Sequence, residues 1–189
     1  MFTFTLILHL KLRFSEFYER QQIGSVLTLD DVLKKVQEHL NIVVMIDFHP
    51  GWKKDCPQDI SAIIECAKSY GVDERVLVET YSTNDANVAL SMHYEKCILW
   101  LSGRYGDCSS EHEIIKGKVE FCLDKGIKYV SLGLGYGLKS LEDQIRRLKN
   151  NGVCIYSRSA SWERYENLSK AQRLGVDFVT PLRHLQKAL

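Results

Sequence analysis

Residues 28–47 read TLDDVLKKVQEHLNIVVMID, and this stretch decides the fold. Its first half has apolar side chains at Leu29, Val32, Leu33, Val36 and Leu40, the spacing of one helix face, with Thr28 as the cap and Asp31 three residues on as in a capping box. Its second half, Ile42 to Ile46, is apolar throughout and ends on Asp47. Such a run fits a parallel strand covered on both faces, whereas a strand wet on one side would alternate.

The same unit recurs downstream. A helix marked by Ile60, Ile63, Ile64, Ala67 and Tyr70 precedes the strand Val76–Thr80, and a shorter one around Ala86, Ala89 and Leu90 precedes Cys97–Leu101. Ile115, Val119 and Cys122 lead to Ile127–Leu132; Leu138, Leu141, Ile145 and Leu148 lead to Val153–Tyr156; Trp162, Tyr165 and Leu168 lead to Asp177–Thr180. Gly126, Gly152 and Gly175 each fall after a helix and before a strand, where a left-handed cap is needed. Six strands joined by helical crossovers mean a parallel sheet, either open and doubly wound or closed as a (β/α)8 barrel. Periodicity leaves both open. A full barrel takes about 250 residues, so this chain is about two units short of one.

Working outward to the N-terminus, Phe2, Phe4, Leu6, Leu8, Leu10, Leu12 and Phe14 alternate with Thr3, Thr5, Ile7, His9, Lys11 and Arg13. The two-residue period predicts a strand with one dry face, in a hairpin or edge ribbon spanning residues 1–24. The expected organisation is one domain over residues 1–189, with βα units from residue 25. An incomplete barrel leaves bare sheet edges, so the ribbon is expected to pair with one of them or to join two copies into a homodimer.

The 189 residues carry 25 basic and 24 acidic side chains. A net charge of +1 gives no electrostatic footprint for nucleic acid. No run reaches the roughly 20 apolar residues of a membrane span. The start has neither a basic leader nor a small-residue cleavage site, which points to a cytoplasmic protein. Cysteines 56, 66, 97, 108, 122 and 154 include no Cys-x-x-Cys pair, and they read as free thiols in a reducing compartment.

Several stretches, taken in order, resemble the glycerophosphodiester phosphodiesterase family. Val26–Leu33, VLTLDDVL, is similar to the family's Pro-Thr-Leu-Glu-Glu-Val-Leu helix start, and Val44–His49, VMIDFH, sits where the family has a strand ending Glu-Ile-Lys. Val153–Ser159 resembles the late strand ending Trp-Thr-Val-Asn, and Leu174–Thr180 resembles the closing Gly-Val-Asp-Gly-Ile-Ile-Thr strand. The resemblance covers roughly residues 26 to 182. It implies a (β/α)8 barrel, here incomplete, of the kind that hydrolyses glycerophosphodiesters to glycerol 3-phosphate and an alcohol with a divalent metal, calcium or magnesium. Strand-end carboxylates hold a hard cation against phosphate oxygens in such chemistry, and a histidine pair acts as acid and base.

Carried over residue by residue, the resemblance implies Asp47 as a metal ligand, His49 where the family's phosphate-meeting lysine stands, and His9 as the second catalytic histidine, with Leu10 where the family has aspartate. A third ligand would have to converge on the Asp47–His49 pair from Glu79, Tyr81 or His9. Alignment on the family would point Thr80 inward as a substrate contact and Glu79 toward the helices. Ser157 and Arg158, at a strand end, offer hydroxyl and guanidinium to a phosphate. The loop Gly133-Leu134-Gly135-Tyr136-Gly137 either needs glycine for its shape or cradles a phosphate with bare backbone. The family's His-Arg-Gly and Glu-x-Asp motifs are absent from the chain. Two functions follow: a metal-dependent phosphodiesterase acting on a small phosphodiester or phosphate-bearing ligand, or a non-catalytic barrel that binds an anion or serves as an interaction module.

Overall fold

The computed structural model describes residues 4–9, 28–47, 56–102, 108–133, 138–159 and 173–181. The chain divides into two compact units, Met1–Cys97 and Ile98–Leu189.

The first unit contains strands β1 (Phe4–His9), β2 (Ile42–Asp47) and β3 (Val76–Thr80), with helices α1 (Leu29–Glu38), α2 (Pro57–Ser69) and α3 (Thr83–Ser91). The strands are parallel and lie side by side in chain order. Helix α1 starts where the sequence predicts. The Thr28 hydroxyl accepts from the Asp31 N–H at 3.2 Å, and the Asp31 carboxylate accepts from the Thr28 N–H at 2.9 Å, closing the capping box. The core of this unit is the apolar stripe of each helix against the strands: Leu33 and Val36 from α1, Ile60, Ile64 and Ala67 from α2, and Val44, Ile46, Val76 and Val78 from the strands, all essentially without exposed surface.

The ribbon expected over residues 1–24 lies outside the described residues except for Phe4–His9. Those six residues form a strand parallel to β2, paired from Phe4↔Ile42 to His9↔Asp47.

The second unit contains the remainder of β4 (Cys97–Trp100), then β5 (Tyr129–Gly133), β6 (Cys154–Ser159) and β7 (Phe178–Pro181), again parallel and in chain order. Helix α4 (Cys108–Lys125) leads into β5, and α5 (Leu138–Asn150) leads into β6. Val119, Cys122, Val130, Leu148 and Ile155 are fully buried between helix and strand layers. Asp177 ties the last strand to its predecessors, accepting from the Ile155 N–H at 2.8 Å and from Lys149 Nζ at 2.7 Å. The helix expected around Trp162, Tyr165 and Leu168 lies outside the described residues. Each unit is thus a parallel α/β layer of the type from which (β/α) barrels are assembled. Among the described residues no helix is long and apolar enough to cross a membrane.

The return to a strand uses the same left-handed glycine three times in this unit, at Gly126, Gly152 and, before β7, Gly175 at φ +75°. Gly126 at φ +68° ends α4, and Gly152 at φ +74° follows α5. A side chain at either position would meet no atom within 4 Å, so the requirement for glycine comes from the backbone alone. Gly117, exposed in the middle of α4, has equal space around it and no such dihedral. The same substitution therefore has opposite signs. Gly152→Ala is expected to lose about 1–2 kcal/mol, the left-handed cost of a Cβ, and Gly117→Ala to gain about 0.8–1 kcal/mol from helix propensity. Urea melts of the two variants beside the unmodified protein check this.

Candidate functional site

The register of the first unit brings chemistry to one level. His9, Asp47 and Glu79 are successive Cα partners across β1, β2 and β3, so three potential ligands or acid–base groups stand abreast where the strands end. Strand alternation then sorts the faces. Val76, Val78 and Thr80 share one face of β3 at 0%, 0% and 1% exposure, the face covered by helices, whereas Leu77 on the opposite face is half-buried. Glu79 belongs with Leu77. It lies on the face of Asp47, and the two carboxylates are both completely buried.

Tyr81 joins them. Its hydroxyl lies 2.5 Å from Asp47 Oδ1 and 3.0 Å from Glu79 Oε2. One phenol hydrogen serves one of these acceptors fully at a time, so the oxygen sits between two groups that compete for it. Burying two carboxylates side by side is costly unless donors or a cation compensate, and this phenol is one such compensation.

Thr80 takes the other direction, correcting the expectation that it faces inward and Glu79 outward. Its Oγ1 lies 3.5 Å from Cys97 Sγ. Burial pushes that thiol up to about 11, with the contact to Thr80 acting the other way. The reversal follows from strand period: Thr80 is two residues from the core residue Val78, and Glu79 is two residues from Tyr81. Next to this centre, Ser82 caps α3 by accepting from the Asp85 N–H at 3.0 Å, and the buried Asp85 carboxylate accepts from the Cys56 N–H at 2.8 Å. His49 and the Trp52 loop lie outside the described residues.

The donor set suits a hard divalent cation in kind, since carboxylate oxygens are the ligands such ions take. Among the described residues no group of three or more His, Cys, Asp or Glu side chains is disposed to hold a metal. The five cysteines with described side chains, 56, 66, 97, 122 and 154, are free thiols.

In the second unit, Ser157 of β6 is fully buried and its hydroxyl donates to the Leu132 carbonyl at 3.1 Å, so it is spent on the sheet. Arg158 is level with Gly133 and Thr180 by register. Of the glycine-rich loop only Gly133 is described. Its N–H donates to Ser102 Oγ at 3.3 Å, and a Cβ there would lie 3.6 Å from the Trp100 ring. Ser131, level with Trp100, is fully buried, and its hydroxyl has no partner among the described residues. Neither Ser102 nor Ser131 stood out in the sequence. A serine interrupting the apolar run Tyr129–Leu132 was the available signal.

The sequence also gave no sign of Lys118. It lies in α4 between apolar neighbours and donates through Nζ to the Trp100 carbonyl at 2.7 Å. Burial pulls its pKa down to about 8, with the nearby Cys122 acting in the opposite direction.

No family model matches the sequence, and no curated protein does. Solved structures do match in fold. A candidate glycerophosphodiester phosphodiesterase from Galdieria sulphuraria superposes with a TM-score of 0.60 at 15% identity, over 80% of this chain and 58% of that one. A second candidate glycerophosphoryl diester phosphodiesterase, from Silicibacter pomeroyi DSS-3, gives 0.58 at 9% identity, over 80% of this chain and 51% of its own. An uncharacterized conserved protein from Geobacillus kaustophilus gives 0.51 at 13% identity, over 87% and 74%. The chain thus spans between half and three-fifths of the two phosphodiesterase candidates. The likeness shows a shared α/β fold, compatible with an incomplete (β/α) barrel.

Lys118 supplies a test of the second unit. Because the folded protein releases its proton near 8 and the unfolded chain near 10.5, the unfolded state binds more protons between those values. This group's contribution to stability therefore rises with pH across about 8 to 10.5. Subtracting the pH profile of Lys118→Met from that of the unmodified protein in chemical melts is expected to leave this rise; a flat difference would contradict the buried ammonium.

Proposed function

We propose that the protein works as a glycerophosphodiester phosphodiesterase-like barrel, with a calcium or magnesium ion seated at the Asp47–Glu79 pair. Its substrates are glycerophosphodiesters, and its products are glycerol 3-phosphate and an alcohol. The observation that supports this reading is the pairing of two completely buried carboxylates at the ends of adjacent parallel strands, on the face turned away from the helices. Strand ends of this kind are where barrel enzymes carry their chemistry. The fold likeness to the phosphodiesterase candidates agrees with it.

In this reading Asp47 and Glu79 hold the cation, which neutralises charge on the non-bridging phosphate oxygens. His9, level with Asp47, is the acid–base group. Phosphate recognition falls to His49 and Arg158, because Thr80 and Ser157 direct their hydroxyls to Cys97 and Leu132.

A second reading, a non-catalytic barrel that binds an anion or a partner, is favoured by one observation. The Tyr81 oxygen stands between the two carboxylates, where a bridging ion would lie.

Release of glycerol 3-phosphate from glycerophosphocholine separates the two. With calcium or magnesium the unmodified protein is expected to release product, chelator to stop it, and Asp47→Asn to lower it by at least about a hundredfold, the scale of removing a group that stabilises transition-state charge. A folded protein that releases nothing with any cation would transfer the conclusion to the second reading.

A further inference from the structure

The ends of β4 and β5 in the second unit set two hydroxyls on one face of the sheet. Trp100 and Ser131 are Cα partners, and the Leu101 N–H donates to the Ser131 carbonyl at 2.8 Å, so the pairing continues to the residue before Ser102. Strand alternation puts Ser131 and Gly133 on the same face of β5, with Val130 and Leu132 on the other. A Cβ built on Gly133 would lie 3.6 Å from the Trp100 ring and 4.0 Å from Ser102 Oγ. The indole and the Ser102 hydroxyl therefore belong to the face of Ser131.

Both hydroxyls have a hydrogen to give. Ser131 is completely buried, and its Oγ has no hydrogen-bond partner among the described residues. Ser102, 9% exposed, accepts from the Gly133 N–H at 3.3 Å, and its own hydrogen meets no acceptor among the described residues. A buried hydroxyl without a partner works against folding. Ser157, on the neighbouring strand, shows the ordinary solution by donating to the Leu132 carbonyl. Glycine at 133 answers neither a dihedral nor a clash, since its φ lies outside the left-handed region and an added Cβ would make only ordinary contacts. A side chain there would occupy the space beside the Trp100 ring and the Ser102 hydroxyl. What this end of the sheet lacks is an acceptor, and the register sets a positively charged residue at the same level, because Arg158 is the Cα partner of Gly133. A ligand that brings only acceptor atoms and a negative charge is an oxyanion.

We propose that the second unit carries an oxyanion site at this end of the sheet, in which the Ser102 and Ser131 hydroxyls donate to the oxygens of a phosphate group at the level of Gly133 and Arg158. The site lies wholly within the second unit and needs no cation at Asp47 and Glu79. It makes Ser131 a residue that lowers stability in the absence of ligand and contributes to binding in its presence.

Calorimetric titration of the full chain with sodium phosphate, with glycerol 3-phosphate and with glycerol, all in the presence of chelator, tests this on the unmodified protein, Ser131→Ala and Arg158→Gln, alongside thermal melts of each. The unmodified protein is expected to bind both phosphates and not glycerol. Ser131→Ala is expected to bind them at least about tenfold more weakly, the scale of one hydrogen bond to a charged group, and Arg158→Gln to bind them more weakly as well. Without phosphate, Ser131→Ala is expected to melt no lower than the unmodified protein, and with phosphate to fall below it. Binding of glycerol 3-phosphate without binding of inorganic phosphate would support the site and make a phosphate ester its ligand. Equal binding by Ser131→Ala, or equal binding of glycerol and glycerol 3-phosphate, would overturn the proposal, as would no binding of either phosphate. A lower melting temperature of Ser131→Ala without phosphate would assign the hydroxyl to an internal water and also count against it. Failure of glycerophosphocholine hydrolysis would leave these outcomes untouched, because the chelator removes the ion from them.

Discussion

Two carboxylates without exposed surface, on neighbouring strands at the same level, need something positive or hydrogen-bearing beside them. That demand organises the end of the sheet in the first unit. The parallel register puts Glu79 beside Asp47, and strand alternation sends both away from the helices. Two positions after Glu79, Tyr81 carries a polar tip on a body long enough to reach both carboxylates. Thr80, between them in sequence, is thereby committed to the opposite face, where a hydroxyl beside a buried thiol is a tolerable neighbour to valines.

The sequence announced helices better than it announced faces. The capping box at Thr28 and Asp31, the apolar stripe of α1 and the all-apolar β2 were legible because each depends on residues within one turn or one strand. The direction of Glu79 was not legible, since Val76–Thr80 is apolar on both sides until its last two residues and gives no alternation to read. Asp47 could be singled out as the charge closing an apolar run. What converges on it depends on the register between strands, which no local pattern encodes. Phe4–His9 shows the same limit. Its period-two pattern identified a strand, and only pairing with Ile42–Asp47 shows that the strand runs parallel.

The second unit presents small polar groups where the first presents charges. Ser102, Ser131 and Gly133 leave a floor with little side-chain bulk under the Trp100 ring, while Ser157 is consumed by the sheet. Lys118 answers a backbone carbonyl at the end of β4 with an ammonium drawn from the helix layer. A lysine in that place combines a hydrogen bond with a desolvation cost, and the depressed pKa is the trace of that cost.

The glycine returns after α4 and α5 constrain the chain differently from the core around them. Apolar core positions can exchange Leu, Ile, Val and Met with modest cost, so their identities erode while the shape they fill is kept. A left-handed backbone position cannot drift in the same way, because nearly every other residue is strained there. The glycines that turn a helix into the next strand are therefore the positions of this chain least open to substitution, although their side chains contribute nothing to the core.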